Sequence, residues 1–231
     1  MTYKLLYFFQ LISLSVDYLF KKSFNEKNFI SNFDKNSLVI FDIGSNTGSY
    51  IKFISKITNN IRVIYYSFEP LLELIDLQKK INLPQNHKII YNNYAVGMKN
   101  EPINYFKRTI ISQSSKFNSQ NEDILNDIDK QIQVTQVNLS DYIKKNNIKL
   151  IDLLKIDTEG AELEILQSIK DILKTDLIKN IKIEVKNNED LSKIFNLLNL
   201  ANYKLIGINN NHYKNKQLDF FDGFFKKITT T

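Results

Sequence analysis

The sequence predicts an α/β fold: a doubly wound, mostly parallel sheet covered by helices on both faces. Two observations carry this. From Ser37 onward, short apolar strands alternate with segments of helical periodicity. The stretch "VIFDIGSNTGSY" (Val39 to Tyr50) then sets two glycines four apart between a run of apolar β-formers and the start of a helix.

The elements follow in order. "SLVIFDI" reads as a buried strand, "SYIKFISKI" as a helix, "RVIYYSFE" as a strand and "LLELIDLQKKI" as a helix, giving two successive βα units. "KIIYNNYAVG" reads as a third strand, and Met98 to Phe106 as a less regular, hairpin-like stretch. A polar segment near Ile111 to Gln131 is expected to be a loop or lid with a short helix. The second half gives "IQVTQVNLSDYIKKNN" as strand then short helix, "IDLLKID" as a strand, "AELEILQSIKDIL" as a helix and "IKNIKIEV" as a strand. "YKLIGI" and "LDFFDGFFKKI" are two final strands around a polar turn at Asn209 to Asn215. No internal repeat and no linker divides the chain. The expected organisation is an N-terminal amphipathic helical segment over residues 1–36 and a single domain over 37–231.

In the first segment, Leu5, Phe8, Phe9, Ile12, Val16, Leu19 and Phe20 recur at helical spacing and form one greasy face. Gln10, Ser13, Ser15 and Asp17 interrupt the run, which falls short of the 18 or so apolar residues a spanning helix needs. No small-residue cleavage site follows, which argues against a signal peptide. Packing on the domain or on a partner subunit is expected first, and peripheral membrane contact through residues 1–22 second.

Composition removes several chemistries. The 231 residues include no cysteine, so disulfides, thiolate metal sites and cysteine nucleophiles are excluded, and only 2 histidines. Acid, base and ligand roles fall to carboxylates, Lys, Tyr or Ser. The net charge of +6 is spread along the chain without a dense basic block. Glycine is scarce, 6 residues where average usage would give roughly 16. Gly44, Gly48, Gly97 and Gly160 therefore stand out, each at the end of a strand-like run.

Ligands of a doubly wound sheet sit beyond the carboxyl ends of its strands, where "DIGSNTGSY" lies. The loop departs from the dinucleotide pattern G-x-G-x-x-G, and no phosphate loop of the G-x-x-x-x-G-K-[ST] type occurs. Glu69 in "YYSFEP" follows the next strand, 21 residues after Gly48, an offset at which a carboxylate can accept both hydroxyls of a ribose, and Pro70 stops that strand. S-adenosyl-L-methionine has a ribose and a carboxylate but no phosphate, and fits this shorter loop. Asp42 would orient the loop or meet the positively charged methionine moiety. The competing reading has Asp42 capping a turn and Glu69 solvated.

With "LLKIDTEGAELEIL" added, the chain resembles the FkbM family of S-adenosylmethionine-dependent methyltransferases. The resemblance rests on five segments in order: "VIFDIGSNTGSY", "YSFEP", "YAVG", "LLKIDTEGAELEIL" and "IKIEV". It implies a class I methyltransferase, Rossmann-like fold with seven strands, the last antiparallel, and O-methylation of hydroxyls on sugars, glycan precursors or natural products. In that family the loop commonly reads D-x-G-x-N-x-G, which accounts for Asn46. Two departures stand out: Ser140 in "VNLSDY" interrupts the usual Leu-Asp pair and clouds any role of Asp141, and the polar insert varies where acceptors bind.

The expected cofactor contacts are Asp42, Gly44, Ser45, Asn46, Gly48, Glu69, Pro70 and Asp157. Methyl transfer to an alcohol is an in-line displacement that needs positioning and a base for a poorly acidic hydroxyl. Lys155, Asp157 and Glu159, at the carboxyl end of the fourth major strand, are the catalytic candidates, with Asp157 favoured and Glu184 a further one near the acceptor. The alternative is that Asp157, Thr158 or Glu159 merely caps a helix beginning near Gly160. No metal ligand set is assigned, and a divalent cation on paired carboxylates is an open alternative. His87 and His212 fall in expected loops with surface or hydrogen-bonding roles.

The expected partner is a small-molecule or glycan hydroxyl acceptor. RNA methylation and a non-catalytic membrane-associated scaffold are the alternatives, self-association is open, and the expected location is the cytoplasm or the inner face of a membrane.

Overall fold

A computed structural model describes residues 24–33, 36–108, 116–117, 128–186, 189–214 and 217–228. The greasy segment up to residue 22 lies outside the described residues. Among those described, no helix is long and apolar enough to cross a membrane.

The main sheet has seven strands in the order β10-β11-β9-β8-β1-β2-β3. These are β1 (Ser37–Ile43), β2 (Arg62–Phe68), β3 (His87–Asn92), β8 (Leu153–Ile156), β9 (Asn180–Lys186), β10 (Tyr203–Lys214) and β11 (Gln217–Lys227). The pairs β1 with β2, β2 with β3, β1 with β8 and β8 with β9 are parallel, whereas β11 runs antiparallel to both β9 and β10. The strand order reverses between β1 and β8, which is where a doubly wound sheet opens its crevice.

Helix α1 (Glu26–Ser31) precedes the sheet, and α2 (Ser49–Ile57) and α3 (Leu72–Gln78) follow β1 and β2. Helices α4 (Leu139–Lys145), α5 (Glu162–Ser168), α6 (Lys170–Leu173) and α7 (Glu189–Leu200) supply the rest. Each buries its apolar spacing. In α2, Ile51 and Ile54 turn inward; in α7, Leu191, Ile194, Phe195 and Leu198 do so at i, i+3, i+4 and i+7.

Strand alternation sorts the two faces. Phe41, Ile43, Phe68, Leu154, Ile156, Ile181 and Ile183 enter one core cluster with residues of α4, α5 and α7. Leu38, Ile40, Val63, Tyr65 and Leu153 face the other way, against Ile51 and Ile54 of α2 and Ile30 of α1. That second face changes character toward the carboxyl ends. The register places Ile40 beside Leu153, but two residues on it places Asp42 beside Lys155, and Lys155 beside Lys182.

Several sequence expectations are corrected. "KIIYNNYAVG" is two strands, because Asn93 and Tyr94 break it: β3 stays in the main sheet, while β4 (Ala95–Gly97) joins a second sheet of order β4-β7-β5-β6. There β5 (Glu101–Arg108) pairs antiparallel with β7 (Ile128–Asn138) and with β6 (Lys116–Phe117). The segment around residue 128, expected in a loop, is thus strand, and the short helix expected before it lies outside the described residues. The polar residues Asn209 to Lys214 continue β10 rather than forming a turn, because β11 supplies their ladder partners. His212 is therefore a strand position opposite Phe220, and His87 opens β3.

Candidate functional site

The loop after β1 is built on positive φ angles at Gly44 (73°), Asn46 (49°) and Gly48 (79°). Gly44 is required by space as well as by conformation, since a Cβ there would run into the main-chain carbonyl of Asp157. The glycine therefore brings the ends of β1 and β8 together. Gly48 is the N-cap of α2.

A buried polar network holds this loop from below. Ser45 Oγ and Ser67 Oγ are 2.7 Å apart, Ser67 Oγ donates to Gln78 Oε1 at 2.6 Å, and Gln78 Nε2 donates to Ser45 Oγ at 2.9 Å and to the Asn46 carbonyl at 2.6 Å. Ser45, Ser67 and Gln78 are all buried, so each depends on the others to satisfy its polar atoms. Gln78 went unnoticed in sequence because it sits at the end of an apparently ordinary amphipathic helix.

Glu69 is not solvated. Only 4% exposed, it accepts from the Asn46 amide at Oε2 (2.9 Å) and from the Leu71 amide at Oε1 (3.0 Å). Burial pushes its pKa up to about 7, against the lowering effect of those two amides. A carboxylate offers about four acceptor positions, so each oxygen keeps capacity for one more donor. Asn93 Nδ2 fixes the same corner by donating to the carbonyls of Glu69 (3.1 Å) and Pro70 (2.8 Å).

Asp42 caps no turn. It is fully buried, and Lys155 Nζ stands 3.0 Å from its Oδ1, while neither carboxylate oxygen has an aligned hydrogen-bond donor. Burial raises its pKa, with Lys155 opposing. Lys155 also reaches Asp157 Oδ2 at 3.2 Å and the Gly44 carbonyl at 3.4 Å. Burial works against the Lys155 charge, but Asp42 and Asp157 outweigh it and keep the ammonium protonated well above the ordinary lysine range. This lysine fastens the ends of β1 and β8 to each other; the Asp157 side chain remains 40% exposed.

Asp157 and Glu159 do not cap a helix. The chain turns at Glu159 (φ 61°) and Gly160 (φ 137°), and α5 starts at Glu162 without a side-chain cap. Glu162 performs the local work instead: its Oε1 accepts from the amides of Thr158 (2.9 Å) and Gly160 (3.2 Å) and from Thr158 Oγ1 (3.0 Å). Asp157 and Glu159 are released toward β9, where they meet Glu184, with carboxylate oxygens of all three within 4.8 Å of one another. Burial, then Asp157 and Glu159, push the Glu184 pKa up to about 8. Lys186 Nζ lies 3.3 Å from Glu159 Oε2. Such an oxygen trio has the ligand chemistry of a magnesium or calcium site, and equally that of a proton-accepting centre.

The arrangement is thus a glycine loop, a buried carboxylate on the adjoining strand and an acidic rim beyond the next two strands. The family model described as the methyltransferase FkbM domain matches residues 42–205. The chain belongs to the FkbM methyltransferase family.

Among solved structures, the FkbM methyltransferase from Methylobacillus flagellatus KT is similar at 14% identity and a TM-score of 0.53, over 81% of this chain and 44% of that one. The present FkbM chain thus spans less than half the length of that relative. An rRNA methylase from Streptococcus thermophilus is 11% identical over 88% of this chain and 94% of its own, with a TM-score of 0.49. TrmK of M. capricolum in complex with S-adenosyl-homocysteine is 16% identical over 89% of this chain and 70% of that one, with a TM-score of 0.44. No curated protein sequence matches the chain. The FkbM match accounts for the class I architecture, with its seven strands and single antiparallel β11.

Proposed function

We propose that this FkbM methyltransferase binds S-adenosyl-L-methionine over the ends of β1, β2 and β8 and methylates a hydroxyl of a sugar, glycan precursor or other small polar molecule. The observation that carries the reading is Glu69, held by the glycine loop through Asn46 yet with acceptor capacity left on both oxygens. Ribose hydroxyls are the donors that such a carboxylate suits. The buried Asp42 carboxylate, paired with the Lys155 ammonium, braces the loop from beneath and leaves Asp157 as the exposed carboxylate beside the place where a cationic donor would sit. The residues present therefore fit the cofactor.

When bound, S-adenosylmethionine supplies an electrophilic methyl group on a sulfonium. The protein's task is to orient, to shield and to move one proton. Ser45, Gln78 and Glu69 fix the loop, and Lys155 fixes Asp157 against β1. Asp157, half-exposed and adjoining Glu159 and Glu184, is the group we assign to accept the acceptor's hydroxyl proton as the methyl group leaves the sulfur, with Glu159 and Glu184 close enough to share that proton. A carboxyl titrating near 8 beside it suits proton transfer at neutral pH.

The same trio supports a neutral hydroxyl acceptor over nucleic acid. The carboxylates of Asp157 and Glu159 repel phosphates, and no dense basic block lies in the sequence to offset them.

Calorimetric titration with S-adenosyl-homocysteine tests the cofactor half: saturable one-site binding is expected, and its absence would end the proposal. Transfer of isotopically labelled methyl from S-adenosylmethionine to a panel of sugars, sugar nucleotides and RNA, read by mass spectrometry, tests the acceptor half. Label on an RNA base would overturn it.

A further inference from the structure

The row that crosses the sheet from Asp42 contains two buried lysines side by side, Lys155 on β8 and Lys182 on β9. Adjacent like charges in a sheet repel, and each needs counter-charges of its own. Lys155 has Asp42 and Asp157. Lys182 has Glu26 of α1, at 3.3 Å from Oε1 and 3.2 Å from Oε2, and Asp222 of β11, at 3.2 Å. Tyr50 of α2 lies between the two lysines, its ring centroid 4.7 Å from Lys182 Nζ and 5.6 Å from Lys155 Nζ, and its hydroxyl donates to Glu26 Oε1 at 2.7 Å.

The seat of α1 is built for this. Phe24 packs against Phe224, centroids 4.5 Å apart and planes tilted by 34°, and its ring occupies the space that a Cβ on Gly207 would need. Glu26 and Asp222 both fall outside residues 42–205, whereas Lys182 falls inside. The counter-charges of Lys182 thus come from parts of the chain flanking the family-matched stretch. By register Lys182 lies beside Lys155 and Asp222 beside Glu184, so the site carboxylates Asp157 and Glu184 stand two residues further along the same face from the lysine pair.

We propose that Glu26 is a positioning residue for the methyl donor: by committing the Lys182 ammonium to itself and Asp222, it keeps a second cation off Asp157 and preserves the negative field that a sulfonium needs. The inference rests on the cofactor reading above. Its chemical signature is charge-selective, because S-adenosylmethionine carries the sulfonium cation and S-adenosyl-homocysteine a neutral thioether. A freed Lys182 penalises the first ligand more than the second, whereas simple loosening of α1 weakens both alike.

The test is calorimetric titration of the full chain with each ligand separately, for wild type, Glu26→Gln, Lys182→Met and the double variant. In Glu26→Gln, affinity for S-adenosylmethionine should fall about threefold or more beyond any loss for S-adenosyl-homocysteine. The double variant should recover the wild-type ratio, because the intruding charge is gone. An unchanged ratio in Glu26→Gln, or a double variant that stays impaired, overturns the inference. If Glu26→Gln does not fold, Lys182→Met decides: a ratio at or above wild type supports the inference, and one below it is fatal. Wild type that binds neither ligand removes the cofactor reading itself, which is distinguishable from wild type that binds both with a ratio insensitive to Glu26.

Discussion

The main-chain amide of Asn46 donates to Glu69 Oε2 at 2.9 Å, so the carboxylate that ends β2 is also the fastener of the loop that ends β1. Cofactor contact and loop geometry cannot be altered separately at this residue. In Glu69→Gln, one oxygen is replaced by an amide nitrogen, which sets a donor against either Asn46 or Leu71. The expected cost is about 1–3 kcal/mol in urea unfolding, with at least about a tenfold loss of S-adenosyl-homocysteine affinity by calorimetry, since a bidentate acceptor is lost as well.

Glu184 predicts a pH effect with a definite sign. Its folded pKa, near 8, lies above the usual 4.5, so the folded chain holds a proton that the unfolded chain releases. The stability this contributes is complete below about pH 4.5 and is lost as pH rises through 8. Glu184→Gln should therefore gain on wild type as pH rises from 5 to 8, by several degrees in thermal melts. Equal melting differences at pH 5 and pH 8 would contradict the placement of Glu184 among Asp157 and Glu159. Glu69, titrating near 7, acts in the same direction with a lower upper limit.

Gly44→Ala should be among the most damaging single-methyl additions. The residue combines φ 73° with a Cβ position occupied by the Asp157 carbonyl, so β1 and β8 must part or the loop must refold. A loss of roughly 2 kcal/mol or more is expected, together with undetectable S-adenosyl-homocysteine binding. Tolerance of alanine at 44 would refute the close approach of the two strand ends.

Glu162 accepts three hydrogen bonds through one oxygen. Glu162→Ala strands the Thr158 and Gly160 amides and should cost about 1–3 kcal/mol. It should also speed hydrogen exchange at residues 158–160, whereas Glu164→Ala, one residue pair further along the same helix, should leave those amides protected.

Much of the fold was legible because its strands are short apolar runs punctuated by scarce glycines: Ser37–Ile43 and Ser49–Ile57 coincide with their sequence readings to the residue. Glu69 and Asp157 were legible as strand-end carboxylates for the same reason. Helix α7 was passed over although Leu191, Ile194, Phe195 and Leu198 keep helical spacing, because it is squeezed between two apolar strands that dominate the local pattern. The partners of Lys155 and Lys182 were not legible. Lys182 and Glu26 are 156 positions apart, and only the cross-strand register and the seat of α1 bring them together. Glu162 was not singled out in the sequence, since nothing local reveals that its oxygen folds back under Thr158 and Gly160.

One face of the main sheet is apolar at Leu38, Ile40 and Leu153 and ionic from Asp42, Lys155 and Lys182 onward. The same strands thus run from foundation to working surface, with the boundary one residue row wide. Substitutions in the ionic rows can therefore change the chemistry of the sheet's working end while the rows beneath keep holding the strands in line.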